Sequence, residues 1–155
     1  MMESFISVLS KPDLYTKNIL DNGFYDFKDG DNVFKNVCLR DKDEFYDFLI
    51  KQYPKYNISL NFVRQSPLGQ SEPNYIHTDE MMGELTAILY LNKTHPENYG
   101  TTLYKENYSV KSVFPAKYNS VLVFESKILH SRNREKNFGE GDDSRLVQVA
   151  FLNKK

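Results

Sequence analysis

A mainly β protein with flanking helices, folded as a jelly roll, is what this sequence predicts, and three observations carry the prediction. Phe and Tyr number 11 each, with no Trp, and aromatics at that density favour a pleated, half-buried surface. From Tyr56 onward, short apolar runs alternate with polar residues and are punctuated by Gly, Pro, Asn and Asp. Helical periodicity is confined to the chain before Tyr56. The length of 155 residues fits one domain with a sizeable core. That domain is expected to span residues 1–155, with helical support over about 10–55 and a jelly-roll core over about 56–153.

The elements follow in order. Pro12 to Asn22 carries Leu14, Ile19 and Leu20 and stops at Gly23, the pattern of a short helix with a glycine end. A second helix is predicted from about Lys42 to Tyr53, with Asp41 as its cap and Glu44 in capping-box position. Phe45, Phe48 and Leu49 give it one apolar face, and Pro54 stops it. Between the helices, the aromatic-rich residues 23–40 read as one or two short strands around an Asp-Gly-Asp-Asn turn at 29–32. Ile58, Leu60 and Phe62 then alternate with Asn57, Ser59 and Asn61, as in a half-buried strand. Residues 66–74 (SPLGQSEPN) form a loop by composition. Strand-like runs recur at 75–79, 85–91, 101–105, 109–114, 120–124, 129–131 and 146–152.

Composition narrows the function classes. A net charge of −1 supplies no global field for nucleic acid or anionic membrane, so neither partner is expected. A lone Cys38 excludes an internal disulfide and suits a reducing compartment. Residues 1–10 lack the basic region and apolar run of a signal peptide, and no apolar run is long enough to span a bilayer. A cytoplasmic location is expected; nothing indicates an oligomeric state.

The chemistry is concentrated in His77, Asp79, His130 and Arg145. In a strand, residues i and i+2 share a face, so His77 and Asp79 project together while Thr78 points away. His130, after the apolar run Val121-Leu-Val-Phe124, can complete the set from a neighbouring strand. Two imidazoles and one carboxylate are the ligands of a non-haem Fe(II) site with open positions; thiolates would have suggested zinc or a cluster. His95 lies beside Pro96 in a loop and reads as a surface residue. Glu80 and Glu84 are alternative carboxylates, Glu80 on the opposite face from Asp79. Arg145 opens an alternating run and shares an inward face with Val147, Val149 and Phe151. A guanidinium there needs a partner: a bidentate carboxylate ligand, or an internal salt bridge with Glu106, Glu125 or Asp79. Arg132 and Arg134 fall in a charged segment and read as solvated.

The segments Tyr75-Ile-His77-Thr-Asp79, Leu85-Thr-Ala-Ile-Leu-Tyr90-Leu-Asn92, Tyr99-Gly100-Thr-Thr-Leu-Tyr104, Val121-Leu-Val-Phe-Glu125, His130 and Arg145 together resemble the 2-oxoglutarate- and Fe(II)-dependent oxygenases, prolyl-hydroxylase-like branch. The resemblance covers residues 57 to 152 and implies a double-stranded β-helix. It implies that His77, Asp79 and His130 bind iron and are the catalytic centre. Arg145 would pair with the distal carboxylate of 2-oxoglutarate, and Tyr90 would donate a hydrogen bond to the same group. The implied cofactors are Fe(II), 2-oxoglutarate as co-substrate and O2, with ascorbate as an optional accessory. Because halogenating relatives lack the carboxylate that Asp79 supplies, hydroxylation is favoured. Two departures stand out: Thr101 replaces the second glycine of a Gly-Gly entry, and residues 131–144 lengthen the interval before Arg145.

The implied substrate is a prolyl or other peptidyl residue, then a free amino acid or small metabolite, and last alkylated nucleic acid. Loop 66–74 and insert 131–144 flank the expected mouth, as substrate lids or as solvated connections. Two rival readings remain: a non-catalytic jelly-roll or cupin-like binding domain, and a zinc hydrolase using the same three ligands, which leaves Arg145 no task.

Overall fold

The computed structural model of the protein describes residues 1–72, 74–134 and 136–155. Pro73 and Glu135, which belong to the predicted loop 66–74 and insert 131–144, lie outside the described residues. In chain order the elements are β1 (Met2–Phe5), α1 (Pro12–Asn22), β2 (Tyr25–Asp29), β3 (Asn32–Leu39), α2 (Glu44–Gln52), β4 (Tyr56–Ser66), β5 (Leu85–Tyr90), β6 (Gly100–Tyr104), β7 (Val110–Pro115), β8 (Ser120–Glu125), β9 (His130–Arg132), a 3-10 turn (Gly141–Asp143) and β10 (Arg145–Lys154). They form a seven-stranded sheet, β1-β8-β5-β10-β4-β3-β2, and a three-stranded sheet, β7-β6-β9. Neighbouring strands in both sheets pair antiparallel. The result is the predicted jelly roll with helices on one side.

Period two explains the layers. On β10, Leu146, Ala150 and Leu152 join Ile19 of α1 and Phe45 and Leu49 of α2 in one core. The alternate residues Val147 and Val149 pack instead with Leu103 of β6 and Phe114 of β7. The large sheet is therefore covered on both faces, by helices on one and by the small sheet on the other. That double burial is why β5, β8 and β10 read as nearly continuous apolar runs rather than clean alternation.

Several details depart from the sequence reading. The second helix starts at Glu44, and its cap is Asp43, whose carboxylate accepts from the Tyr46 N–H at 2.9 Å. Asp41 is not the cap: its carbonyl accepts from Asn61 Nδ2 and from the Asp43 N–H. Glu44 accepts from the Ser10 N–H and hydroxyl rather than closing a capping box. Leu14 is 53 % exposed, and Ile19 carries the burial of α1. β1 pairs with β8 and was not anticipated, because its residues Met2–Phe5 have no alternation to announce it.

Gly100 opens β6 with φ +148, and a Cβ there would stand 1.8 Å from the Phe114 carbonyl oxygen. The neighbouring position has no such restriction, so Thr101 can replace a glycine. Gly100→Ala is expected to lower stability by roughly 2–3 kcal/mol, from backbone strain and the clash with β7, read as a lower denaturation midpoint.

Candidate metal centre

Residues 75–79 are not a strand. His77 makes one isolated bridge to His130, closed by reciprocal backbone bonds of 3.1 and 2.9 Å. The Asp79 N–H reaches the Ser126 carbonyl at 2.8 Å. This short pairing keeps the backbone extended enough to preserve the side-chain parity that the sequence reading required. His130 opens β9, held against β6 by its register with Leu103.

The three side chains converge. Asp79 Oδ2 is 3.0 Å from His130 Nε2, and Asp79 Oδ1 is 3.5 Å from His77 Nε2. Candidate ligand atoms of all three residues lie within 4.8 Å of one another. His77 Nδ1 is 2.8 Å from the Tyr75 carbonyl and His130 Nδ1 is 2.9 Å from that of Ile128. A carbonyl can only accept, so each Nδ1 carries the hydrogen, and each Nε2 of a neutral ring presents a lone pair. Two lone pairs facing one carboxylate need a cation between them. The bond to Asp79 raises the His77 pKa against the opposing effect of burial. Burial opposes ionisation of Asp79, but the His130 and His77 bonds outweigh it and hold the carboxyl well below the usual range. A metal ion satisfies the same three acceptors, and the carbonyl bonds fix the ring orientations it needs.

These residues line a cavity of about 200 Å³. Ile88, Val147, Val149 and Phe151 supply apolar wall from the large sheet. Arg145, Arg64 and Arg132 also face it, with Glu72 among them. Arg145 has its expected position at the start of β10, with its side chain 13 % exposed. Among the described residues the carboxylate in ion-pair reach is Glu72, at 4.0 Å, and not Glu106, Glu125 or Asp79. Burial, with Arg132 close by, pulls the Arg145 pKa down to about 10, so it stays charged at neutral pH. Tyr90 is buried, and its hydroxyl lies 2.6 Å from the Thr101 hydroxyl, which itself borders the cavity. Burial pushes the Tyr90 phenol up to about 12.

Three functional candidates escaped the sequence reading. Arg132 is not solvated: its side chain is 12 % exposed and it bonds Glu72 and Asn137. Glu72 comes from loop 66–74, read as a substrate lid or a solvated connection, where it also accepts from Ser66 and Gln70. Arg64 lies two residues beyond Phe62 on its inward face, so the argument that flagged Arg145 applies to it as well. Arg134 is exposed, as expected, and His95, Glu80 and Glu84 lie outside this cavity.

Asn92 fixes where Arg145 begins. Its side chain donates to the Ser144 carbonyl at 2.9 Å and accepts from the Leu146 N–H at 2.8 Å, bracketing Arg145 on both sides. If Arg145 receives a dicarboxylate as the sequence implies, Asn92→Ala is expected to weaken that binding about tenfold while leaving metal affinity near wild type, checked by calorimetric titration of each.

No family model matches the chain, and no curated protein matches it in sequence. Solved structures do match. A Pseudomonas putida prolyl-4-hydroxylase is 12 % identical with a TM-score of 0.62, over 99 % of this chain and 92 % of that one. The viral collagen prolyl hydroxylase of Paramecium Bursaria Chlorella virus-1, in its 2-oxoglutarate complex, is 12 % identical with a TM-score of 0.58, over 97 % and 94 %. A non-haem α-ketoglutarate-dependent carbocyclase of nogalamycin biosynthesis is 11 % identical with a TM-score of 0.62, over 97 % and 78 %. The chain has the double-stranded β-helix fold of these proteins.

Proposed function

We propose that this chain is an Fe(II)- and 2-oxoglutarate-dependent dioxygenase that hydroxylates a C–H bond, with succinate and CO2 as co-products. The observation that carries the reading is the convergence of His77, Asp79 and His130 on one wall of a cavity that Arg145 also lines. Imidazoles and a carboxylate suit Fe(II), and three protein ligands leave coordination positions open. Bound there, iron and 2-oxoglutarate supply the oxidative chemistry, in which O2 converts the oxo acid to succinate and CO2 and one oxygen atom enters the substrate.

The chain's own residues bind, orient and exclude water. His77 and His130 present Nε2 to the metal and Asp79 its carboxylate. Arg145 receives the distal carboxylate of 2-oxoglutarate, for which its loose contact to Glu72 leaves donors available. Tyr90 stands behind Thr101, so the paired hydroxyls would reach that carboxylate through the Thr101 side. Ile88, Val147 and Val149 keep the reacting region dry.

A prolyl or other peptidyl residue is the first substrate to test, supported by the likeness to two prolyl hydroxylases. A free amino acid or small metabolite is the second, supported by the small cavity. Anaerobic addition of Fe(II) and 2-oxoglutarate is expected to give a weak visible charge-transfer band that His77→Ala lacks. Absence of both the band and substrate-independent succinate formation would sink the dioxygenase reading and favour a binding domain. Hydrolysis without 2-oxoglutarate would favour zinc chemistry.

A further inference from the structure

Three guanidiniums face the cavity, and they are not equally engaged. Arg132 bonds Glu72 and Asn137. Arg145 is assigned to 2-oxoglutarate in the reading above, on which this inference rests. Arg64 is left over. Its side chain makes no hydrogen bond to a described residue, and its Nε is buried without a partner. Its guanidinium carbon instead lies 5.8 Å from the Phe34 ring centroid and 5.6 Å from that of Phe62. Stacking of this kind satisfies the guanidinium face and leaves the N–H edge for an anion.

The position is built into the sheet. Arg64 pairs with Val37 of β3 and Val147 of β10, so it is anchored from both sides and shares the inward face with Phe62. Around it, Phe34, Phe62, Met82 and Phe151 form an apolar wall. Charge balance points the same way. Arg64, Arg132, Arg145 and a ferrous ion bring five positive charges; Asp79, Glu72 and the two carboxylates of 2-oxoglutarate bring four negative ones. One positive charge remains, and an uncompensated charge against an apolar wall is unfavourable.

We infer that Arg64 binds a carboxylate of the primary substrate, whose apolar body lies against Phe34, Phe62, Met82 and Phe151. The substrate class is a small acid with an aliphatic or ring body, either free or as the last residue of a peptide. An internal peptide residue with no nearby acid does not fit.

The test uses the full chain with 2-oxoglutarate and Zn(II) in place of iron, so that binding is read without turnover. 4-Methylpentanoate, its amide, L-leucine and the dipeptide Gly-Leu are titrated by calorimetry into wild type, Arg64→Gln and Arg64→Lys. Wild type is expected to bind at least one acid about ten- to a hundredfold more tightly than the neutral amide. Arg64→Gln should lose that preference, Arg64→Lys should keep part of it, and the affinity for 2-oxoglutarate should stay within about twofold of wild type in both. The tightest acid tells a free acid, an amino acid and a peptide end apart. The inference is overturned if wild type binds no acid in preference to the amide. It is equally overturned if Arg64→Gln binds acids as wild type does, or if it loses 2-oxoglutarate, which would make Arg64 a co-substrate residue. Failure of wild type to bind 2-oxoglutarate sinks the dioxygenase reading instead, and the acid titrations without 2-oxoglutarate still decide Arg64.

Discussion

On the dioxygenase reading, Asp79→Ala is expected to abolish succinate formation, a loss of well over about 100-fold, given that changes to groups merely supporting a metal ligand already cost 10- to 100-fold. The carboxylate is the only anion among the three converging groups, so its removal leaves two neutral imidazoles to hold a dication. The fold should tolerate the change. Thr86 retains its 2.8 Å bond to Ser126, and the His77–His130 backbone bridge uses no side chain. Desolvating the Asp79 carboxylate also offsets much of what its ion pairs contribute. Metal titration by calorimetry, with circular dichroism as the folding control, separates the two effects. Retention of Fe(II) affinity near wild type in the alanine variant would remove Asp79 from the ligand set.

Asp43→Ala is expected to be the most destabilising single change on the helix-facing side, by roughly 3 kcal/mol, because it breaks a buried charge cluster and a helix cap together. Asp43 is 10 % exposed and lies 3.0 Å from Arg40 Nε. Its carboxylate accepts from the Tyr46 N–H and from Gln148 Nε2, both at 2.9 Å. The Tyr15 hydroxyl lies 2.9 Å from Asp43 and 2.6 Å from Gln148, so its single proton serves one of them at a time. Gln148 is fully buried at the centre of β10, so the cluster clasps α1, α2 and the strand that carries Arg145.

The same cluster predicts a pH dependence. Burial opposes ionisation of Asp43, but bonds from Tyr46, Gln148, Arg40 and Tyr15 outweigh it and lower the pKa. A carboxyl with a lowered folded-state pKa stabilises fully above its unfolded value of about 3.9 and loses that contribution as pH falls through the folded value. The stability gap between wild type and Asp43→Ala should therefore be constant near neutrality and shrink in acid below about pH 4. Urea unfolding at several pH values measures it; a gap that widens in acid would contradict the assignment.

Local pattern carried most of the fold. Ile58, Leu60 and Phe62 announced β4, and Pro12 and Gly23 bounded α1, because each signal lies within a few residues of the element it specifies. His77, Asp79, His130 and Arg145 were legible for a related reason: parity and strand order are local, and the structure brings all four to one cavity. Glu72 was not legible, since its partners Arg132 and Arg145 are 60 or more positions away and its own loop has no period. Asn61 alternates with apolar neighbours as an outward polar residue would, yet it accepts from the buried Gln148 at 2.8 Å beneath the helices. A sheet covered on both faces has no polar side, so alternation there marks which layer a residue joins and not whether it meets water.

The single bridge between His77 and His130 has a mechanical consequence. Among the described residues, the backbone ladder between the His77 segment and β9 consists of two bonds, so this corner is stitched more sparsely than the long ladders beside it. An ion gripped by both imidazoles would rivet the chain at two points about 50 residues apart, an entropic cross-link comparable in kind to a disulfide. The cation would then be a fastener of the cavity's rim as well as its reagent, and chelators would loosen the rim before they touched the helices behind it.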